Sequence, residues 1–177
     1  MTFGGQGLLE RTVYEAHASG LFEQVIVSTD DPELTQRALK CGASVPFNRP
    51  PELALDETSS WEVVSDLVRK LDYVGDLMLL QVTSPLRNSG HLLEATAMRT
   101  QHHDIRTISV NYDDQVTGNA QRHLWCNCHP LITTSKTCEK SKFISPNGAI
   151  YILHTREIPT SHTLNLNGCL GYLMSAG

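Results

Sequence analysis

The sequence predicts an α/β domain in which crossover helices cover a mostly parallel sheet. Three observations lead there. Helical and strand-like patterns alternate along the chain, which favours a layered sheet. Asp76-Leu-Met-Leu-Leu-Gln81 is apolar with no polar alternation, the pattern of a strand covered on both faces. Composition permits a core: 40% of the 177 residues are hydrophobic and 19% charged, a length suited to a single domain, 1–177.

Each element follows from local chemistry. Leu8, Leu9, Val13 and Ala16 share one helical face, and Gly20 is placed to end that helix. Val25-Ile-Val27 reads as a short buried strand. Asp31 is a helix cap with Pro32 in the first turn, and that helix runs through Leu34, Ala38 and Leu39 to stop before Gly42. Ala43-Ser-Val-Pro46 reads as an edge strand, because Pro46 has no N–H for a ladder. Ser59-Ser-Trp-Glu62 is a capping box, followed by Val64, Leu67, Val68 and Leu71 at helical spacing. After the Asp76–Gln81 strand the chain turns at Val82-Thr-Ser-Pro-Leu-Arg87 and enters a helix after Ser89. Arg106 to Val110, Asn147 to Leu153 and Leu170 to Met174 complete the ordered segments. Residues 111–145 are polar and aperiodic, a lobe, arm or partner contact in which Trp125, Leu131 and Ile132 are placed to anchor a subunit.

Charge and cysteine usage exclude some function classes. A net charge of −5 argues against binding nucleic acid through a broad basic face, although a few local donors suffice for a nucleotide. The apolar run Leu77 to Leu80 is far shorter than a membrane span, and the first residues lack a secretion signal. Five unevenly placed cysteines fit reduced thiols in the cytoplasm.

Several candidate sites have simpler readings. Gly4-Gly5-Gln6-Gly7 lacks the preceding strand and following Lys of a phosphate loop, so a turn before a helix accounts for it better. His123, Cys126, Cys128, His129 and Cys138 crowd together, but one residue between Cys126 and Cys128 is too few for a usual zinc knuckle. No metal ligand set is assigned there. Ser28 and Ser84 follow strands but lie outside a Gly-x-Ser-x-Gly elbow, so a hydrolase is not supported. Ser28-Thr-Asp30 and Gln81-Val-Thr-Ser-Pro-Leu-Arg87 both follow strands and so face one crevice, with Arg49 and Ser60 flanking the helix between them. The Gln81 amide suits a base edge or a sugar hydroxyl, while Arg49 and Arg87 carry forks suited to phosphate or carboxylate. Turn chemistry and ordinary surface ion pairs explain the same residues equally well.

Longer motifs separate these readings. Val25-Ile-Val-Ser-Thr-Asp-Asp-Pro-Glu33, Gly42-Ala-Ser-Val-Pro-Phe-Asn-Arg-Pro-Pro-Glu-Leu-Ala54, Asp56 with Thr58-Ser-Ser60, Leu79-Leu-Gln-Val-Thr-Ser-Pro-Leu-Arg87, Pro146-Asn-Gly-Ala-Ile-Tyr151 and Tyr172-Leu-Met-Ser175 occur in order. Together they resemble the acylneuraminate cytidylyltransferases, the CMP-sialic acid synthetase family, with Val82 where that family's signature has proline. The resemblance implies a Rossmann-like nucleotidyltransferase fold with a small extra lobe, 111–145, used for dimerisation. It implies attack of a nine-carbon acidic sugar on CTP with release of pyrophosphate, assisted by Mg²⁺. Arg49, Ser60 and Gln81 match positions near the nucleotide, with Gln81 also placed to touch the sugar. Thr83, Ser84 and Arg87 belong to the same signature, and Tyr151 matches a residue lining the acceptor pocket. No catalytic residue is assigned.

The chain also departs from that pattern. About 20 residues of a βα unit that carries the family's cationic phosphate loop are expected ahead of the first helix. The metal-binding Asp-Ile-Asp element is expected after Gly177. The chain alone is therefore expected to be inactive or nearly so, or a non-catalytic sugar- or nucleotide-binding module. A pseudaminic acid or Kdo cytidylyltransferase is the alternative within the same class.

Overall fold

Gly4 and Gly5 adopt positive φ, 58° and 81°, and turn a short hairpin between β1 (Thr2–Phe3) and β2 (Gln6–Gly7). The glycine run is thus a turn that leads into α1 (Leu8–Ser19). In the computed structural model, residues 2–102, 106–113, 143–159 and 169–174 are described. α1 buries Val13 and Ala16 and ends at Gly20, whose left-handed backbone lets its N–H reach His17 O at 3.1 Å. α2 (Pro32–Lys40) starts on Asp31, whose carboxylate accepts from Glu33 N at 2.7 Å and Leu34 N at 3.2 Å. α3 (Ser60–Leu71) starts on the capping box formed by Ser59 and Glu62. α4 (Ser89–Gln101) starts on Asn88, one residue before the expected serine.

α1 and α2 are tied by a forked pair in which Arg37 Nε and Nη2 donate to the Glu10 oxygens at 2.6 and 2.9 Å. These hydrogen bonds hold the Glu10 carboxyl below its ordinary pKa of 4.5. A depressed carboxyl stabilises the fold above its ordinary pKa, and that contribution is lost as pH falls below it. Glu10→Gln is therefore expected to lower the urea midpoint at neutral pH, with the gap to the wild type closing in acid. A gap unchanged by acid would assign the loss to packing.

The main sheet contains β3 (Asp76–Leu79), β4 (Thr107–Asp113), β5 (Phe143–His154) and β6 (Leu170–Leu173) in the order β3-β5-β4-β6. The α/β class holds, but the sheet is mixed rather than mostly parallel. β4 and β6 run parallel, while β5 lies antiparallel to both β3 and β4. β5 inserts between β3 and β4 and reverses direction there, which no local pattern in its sequence encodes. Two expected strands, Val25-Ile-Val27 and Ala43-Ser-Val-Pro46, shorten to one parallel bridge, Ile26 to Ser44. It rests on Val27 N to Ser44 O at 2.9 Å and Ser44 N to Val25 O at 2.8 Å, and Pro46 has no donor to extend it.

β3 also differs from its expected setting. It has one strand partner among the described residues, and Leu77 to Leu79 are half-buried rather than enclosed. Its unbroken apolar character has another cause. Met78 and Leu80 pack on the core of Leu92, Ala95, Ala149, Ile150, Ile152 and Tyr172, whereas Leu79 faces the opposite side and lines a cleft. Bidentate pairing of Arg99 with Asp76, at 2.9 and 3.0 Å, fixes α4 against the start of β3. A second cluster, Val13, Ala38 and Ala43 with Leu9, Val25 and Val27, joins α1, α2 and the bridge. Most of the 111–145 lobe, including Trp125, Leu131, Ile132 and the cysteine–histidine cluster, lies outside the described residues.

Candidate functional site

The cleft forms where three sequence-distant segments meet at the carboxyl end of β3. Leu79 and Tyr151 are register partners across β3 and β5 and make its floor. Ser59, Ser60 and Trp61, at the N-terminus of α3, make one wall, and Gln81 makes the rim. The space is an open cavity of ≈ 190 Å³. Trp61 meets Tyr151 edge-to-face with ring centroids 5.3 Å apart and planes at 85°, so the two rings brace each other. Burial raises the Tyr151 pKa above its ordinary value, so its hydroxyl stays protonated at neutral pH.

The six lining residues carry no charged side chain. Polarity comes instead from hydroxyls, one amide and the helix start. The capping box occupies the N–H groups of Ser59 and Glu62, at 2.8 and 3.3 Å. The N–H groups of Ser60 and Trp61 belong to the first helical turn, which has no intrahelical acceptors, and the helix dipole adds partial positive charge there.

Gln81 is the polar centre. Its Nε2 donates to Ser60 Oγ at 3.5 Å, and its Oε1 lies against Gly148. That approach requires glycine: a Cβ on residue 148 would stand 2.2 Å from Gln81 Oε1, and the backbone has φ +75°. The β4–β5 register jumps here from Ile108–Tyr151 to Val110–Pro146, so Asn147 to Ile150 bulge out opposite Ser109. Buried Ser109 and half-buried Asn147 fill the bulge. Ser109 Oγ accepts from Ile150 N at 2.7 Å and donates to Asn147 Oδ1 at 2.5 Å, while Asn147 Oδ1 also accepts from Ala149 N at 3.0 Å. The bulge turns both Ala149 and Ile150 into the core and presents Gly148 to the glutamine.

Of the sequence-predicted site residues, the structure brings Ser60, Gln81 and Tyr151 together in the cleft. Thr83 is exposed and Ser84 half-buried on the turn that follows Gln81, held by Ser84 N to Gln81 O at 3.4 Å and Arg87 N to Ser84 O at 3.2 Å. Arg49 is half-buried beside the bridge segment, where Nε donates to Ser28 Oγ at 3.2 Å and Nη2 donates to Ser28 O. It does not line the cleft. Arg87 is interior, 2% exposed, with its guanidinium on main-chain carbonyls and Thr12. Sequence reasoning missed Trp61, Leu79, Ser109 and Gly148 as parts of the site. Only Asn147-Gly148 inside an apolar strand carried a signal, since an internal glycine marks a bulge or a close approach.

Among the described residues, no three His, Cys, Asp or Glu side chains gather as a ligand set, and the six residues lining the cleft include no carboxylate to hold Mg²⁺. No helix among them is long and apolar enough to cross a membrane.

A polar cleft outside the carboxyl end of a strand is where open α/β sheets place their ligands. The family model described as Cytidylyltransferase matches residues 1–154, and the chain belongs to that family of enzymes. It is similar to the N-acylneuraminate cytidylyltransferase of Streptococcus agalactiae serotype III (strain NEM316), 35% identical over 116 residues that cover 64% of this chain and 28% of that protein. It is also similar to the N-acylneuraminate cytidylyltransferase of Escherichia coli O18:K1:H7 (strain RS218 / NMEC), 38% identical over 173 residues that cover 94% of this chain and 41% of that protein. The chain thus spans well under half the length of these two relatives. Among solved structures, CMP:2-keto-3-deoxy-manno-octonic acid synthetase complexed with CTP superposes with a TM-score of 0.68 over 99% of this chain and 82% of that one. At 14% identity this likeness establishes the fold.

Proposed function

We propose that this chain supplies the base- and sugar-gripping part of a cytidylyltransferase that activates an acidic nine-carbon sugar of the sialic acid type with CTP. The anomeric oxygen of the sugar bonds to the α-phosphorus of CTP, the bond to the bridging oxygen breaks, and pyrophosphate leaves. The hydroxyl proton passes to solvent. The observation that carries this reading is Gln81: an amide held by Ser60 and Gly148 in an uncharged cleft beside an aromatic pair. One amide offers both a donor and an acceptor, as a cytosine edge or a sugar hydroxyl requires. Ser60 and Tyr151 add hydroxyls, and the start of α3 offers partial positive charge to a carboxylate or phosphate. Thr83 and Ser84 follow Gln81 on the adjoining turn, and Arg49, outside the cleft lining, is assigned to the nucleotide by its family motif.

The same reading includes a homodimer through the 111–145 lobe, a cytoplasmic location where CTP is made, and Mg²⁺ in the complete reaction. A second reading, a non-catalytic module that binds the nucleotide or sugar, is favoured by the uncharged lining, which grips neutral groups better than a triphosphate.

One experiment tests both. The protein is incubated with CTP, Mg²⁺ and N-acetylneuraminate or legionaminate, pyrophosphate release is followed, and binding is measured by calorimetry. Turnover establishes the transferase reading and overturns the expected inactivity of the chain alone, and binding without turnover favours the module. Neither turnover nor binding overturns both.

A further inference from the structure

We propose that Arg87 is a positioning residue that sets the Gln81 amide in the cleft by holding together the two segments that meet there. The proposal rests on the cytidylyltransferase reading only for what the cleft binds. Its geometric content stands apart from the ligand.

A single nitrogen makes the tie. Arg87 Nη1 donates to Gln81 O at 2.9 Å and to Ala149 O at 2.7 Å, one hydrogen for each carbonyl. The first carbonyl belongs to the glutamine itself. The second belongs to the residue after Gly148, on which the glutamine side chain rests. The backbone of β5 and the backbone of the turn after β3 therefore share one donor, and the Gln81 side chain lies against Gly148, the residue before Ala149. Nη2 donates to Thr12 Oγ1 on α1 at 3.0 Å, which fixes the plane of the fork.

α1 grips the same turn at two further points. Arg11 Nε donates to Pro85 O at 2.5 Å, and Ser89 N donates to Glu15 Oε2 at 2.8 Å. Three residues of one helix face thus engage the turn directly or through Arg87. Val82 leaves the backbone after Gln81 without proline's fixed φ, so the contacts from Arg87 and α1 add to the turn's own two backbone hydrogen bonds in setting its shape.

The arrangement is costly. Arg87 is 2% exposed, and its Nε has no hydrogen-bond partner among the described residues. Burial lowers its pKa to about 10, against which Glu15 pulls in the opposite direction, so it stays protonated at neutral pH. A neutral apolar side chain would fill the space without that cost but would leave both carbonyls without this donor.

The test reads the side-chain amide resonances of Gln81 in ¹⁵N-labelled protein together with calorimetric binding of CMP. Arg87→Met is expected to move the Gln81 amide signals and to weaken CMP binding by at least about tenfold. Arg87→Lys, which returns a charged donor near the carbonyls, is expected to restore part of both effects. Thr12→Val keeps the Nη1 tie and releases the fork plane, so its shift is expected to be smaller and in the same direction; it decides the matter where Arg87→Met does not fold. Glu10→Gln, a change on α1 facing α2, is the control for loss of stability and is expected to leave the Gln81 signals in place. Gln81 signals unmoved in folded Arg87 and Thr12 variants would overturn the proposal, as would an equal shift in the control. Shifted signals in a protein that binds no CMP would uphold the positioning role and refute the nucleotide reading.

Discussion

Gly148→Ala is expected to abolish most of the cleft's grip on its ligand while leaving the protein folded. A Cβ at this position would lie 2.2 Å from Gln81 Oε1 and 3.3 Å from Gln81 Cδ. The obstacle is the tip of a flexible side chain, so the backbone need not move, but the amide must. Its bond to Ser60, already long at 3.5 Å, would not survive that movement. Holding alanine at φ +75° adds a conformational penalty of about 1–2 kcal/mol, small enough for the fold to persist. CMP binding by calorimetry is expected to weaken by at least about tenfold. The same change made in a Gln81→Ala background should cost almost nothing further in binding, because the clashing atoms are gone. Equal losses in both backgrounds would show that the bulge matters without the glutamine.

Ile150→Ala is expected to be the most destabilising single change near the site, lowering the unfolding free energy by about 2–5 kcal/mol. Ile150 is fully buried at 0% exposure among Leu92, Ala95, Ala149, Ile152 and Tyr172. Its side chain fills the core, and its N–H donates to Ser109 Oγ at 2.7 Å. Truncation leaves a cavity in the sheet's main packing face, directly beneath the bulge that carries Gly148. Urea unfolding of this variant beside Leu93→Ala, whose side chain is 47% exposed, separates core loss from ordinary truncation. A loss no larger than that of Leu93→Ala would mean that the bulge relaxes into the space.

Local rules read most of the fold correctly because they concern neighbours in sequence. Asp31 with Pro32, Ser59 with Glu62, and Gly20 mark helix ends through bonds that span a few residues. Non-local chemistry was harder to see. The antiparallel run of β5 between β3 and β4 depends on partners at least seventy positions apart for β3, as in the register of Leu79 with Tyr151. The site was legible where a side chain follows directly from strand position: Gln81 lies two residues past the end of β3, on the face of Leu79. Ser60 was placed by its position beside the helix between the two strand ends, and Tyr151 was reached through a family motif. Trp61 read only as part of a capping box, since nothing in a helix start announces that its aromatic ring will meet a distant tyrosine. Arg87 read equally as a fork for phosphate or carboxylate and as a surface ion pair, whereas it is buried on the converging carbonyls of Gln81 and Ala149. The bulge was half visible, as a glycine inside a strand.

The central claim is that Ser60, Gln81 and Tyr151 form one ligand-gripping cleft. Its most direct test is a titration of ¹⁵N-labelled protein with CMP, followed residue by residue. The account predicts saturable shifts concentrated at Ser59 to Trp61, at the Gln81 side-chain amide and at Gly148 to Tyr151, all lost in Gln81→Ala. Saturable shifts centred elsewhere, or binding unchanged in Gln81→Ala, would contradict it.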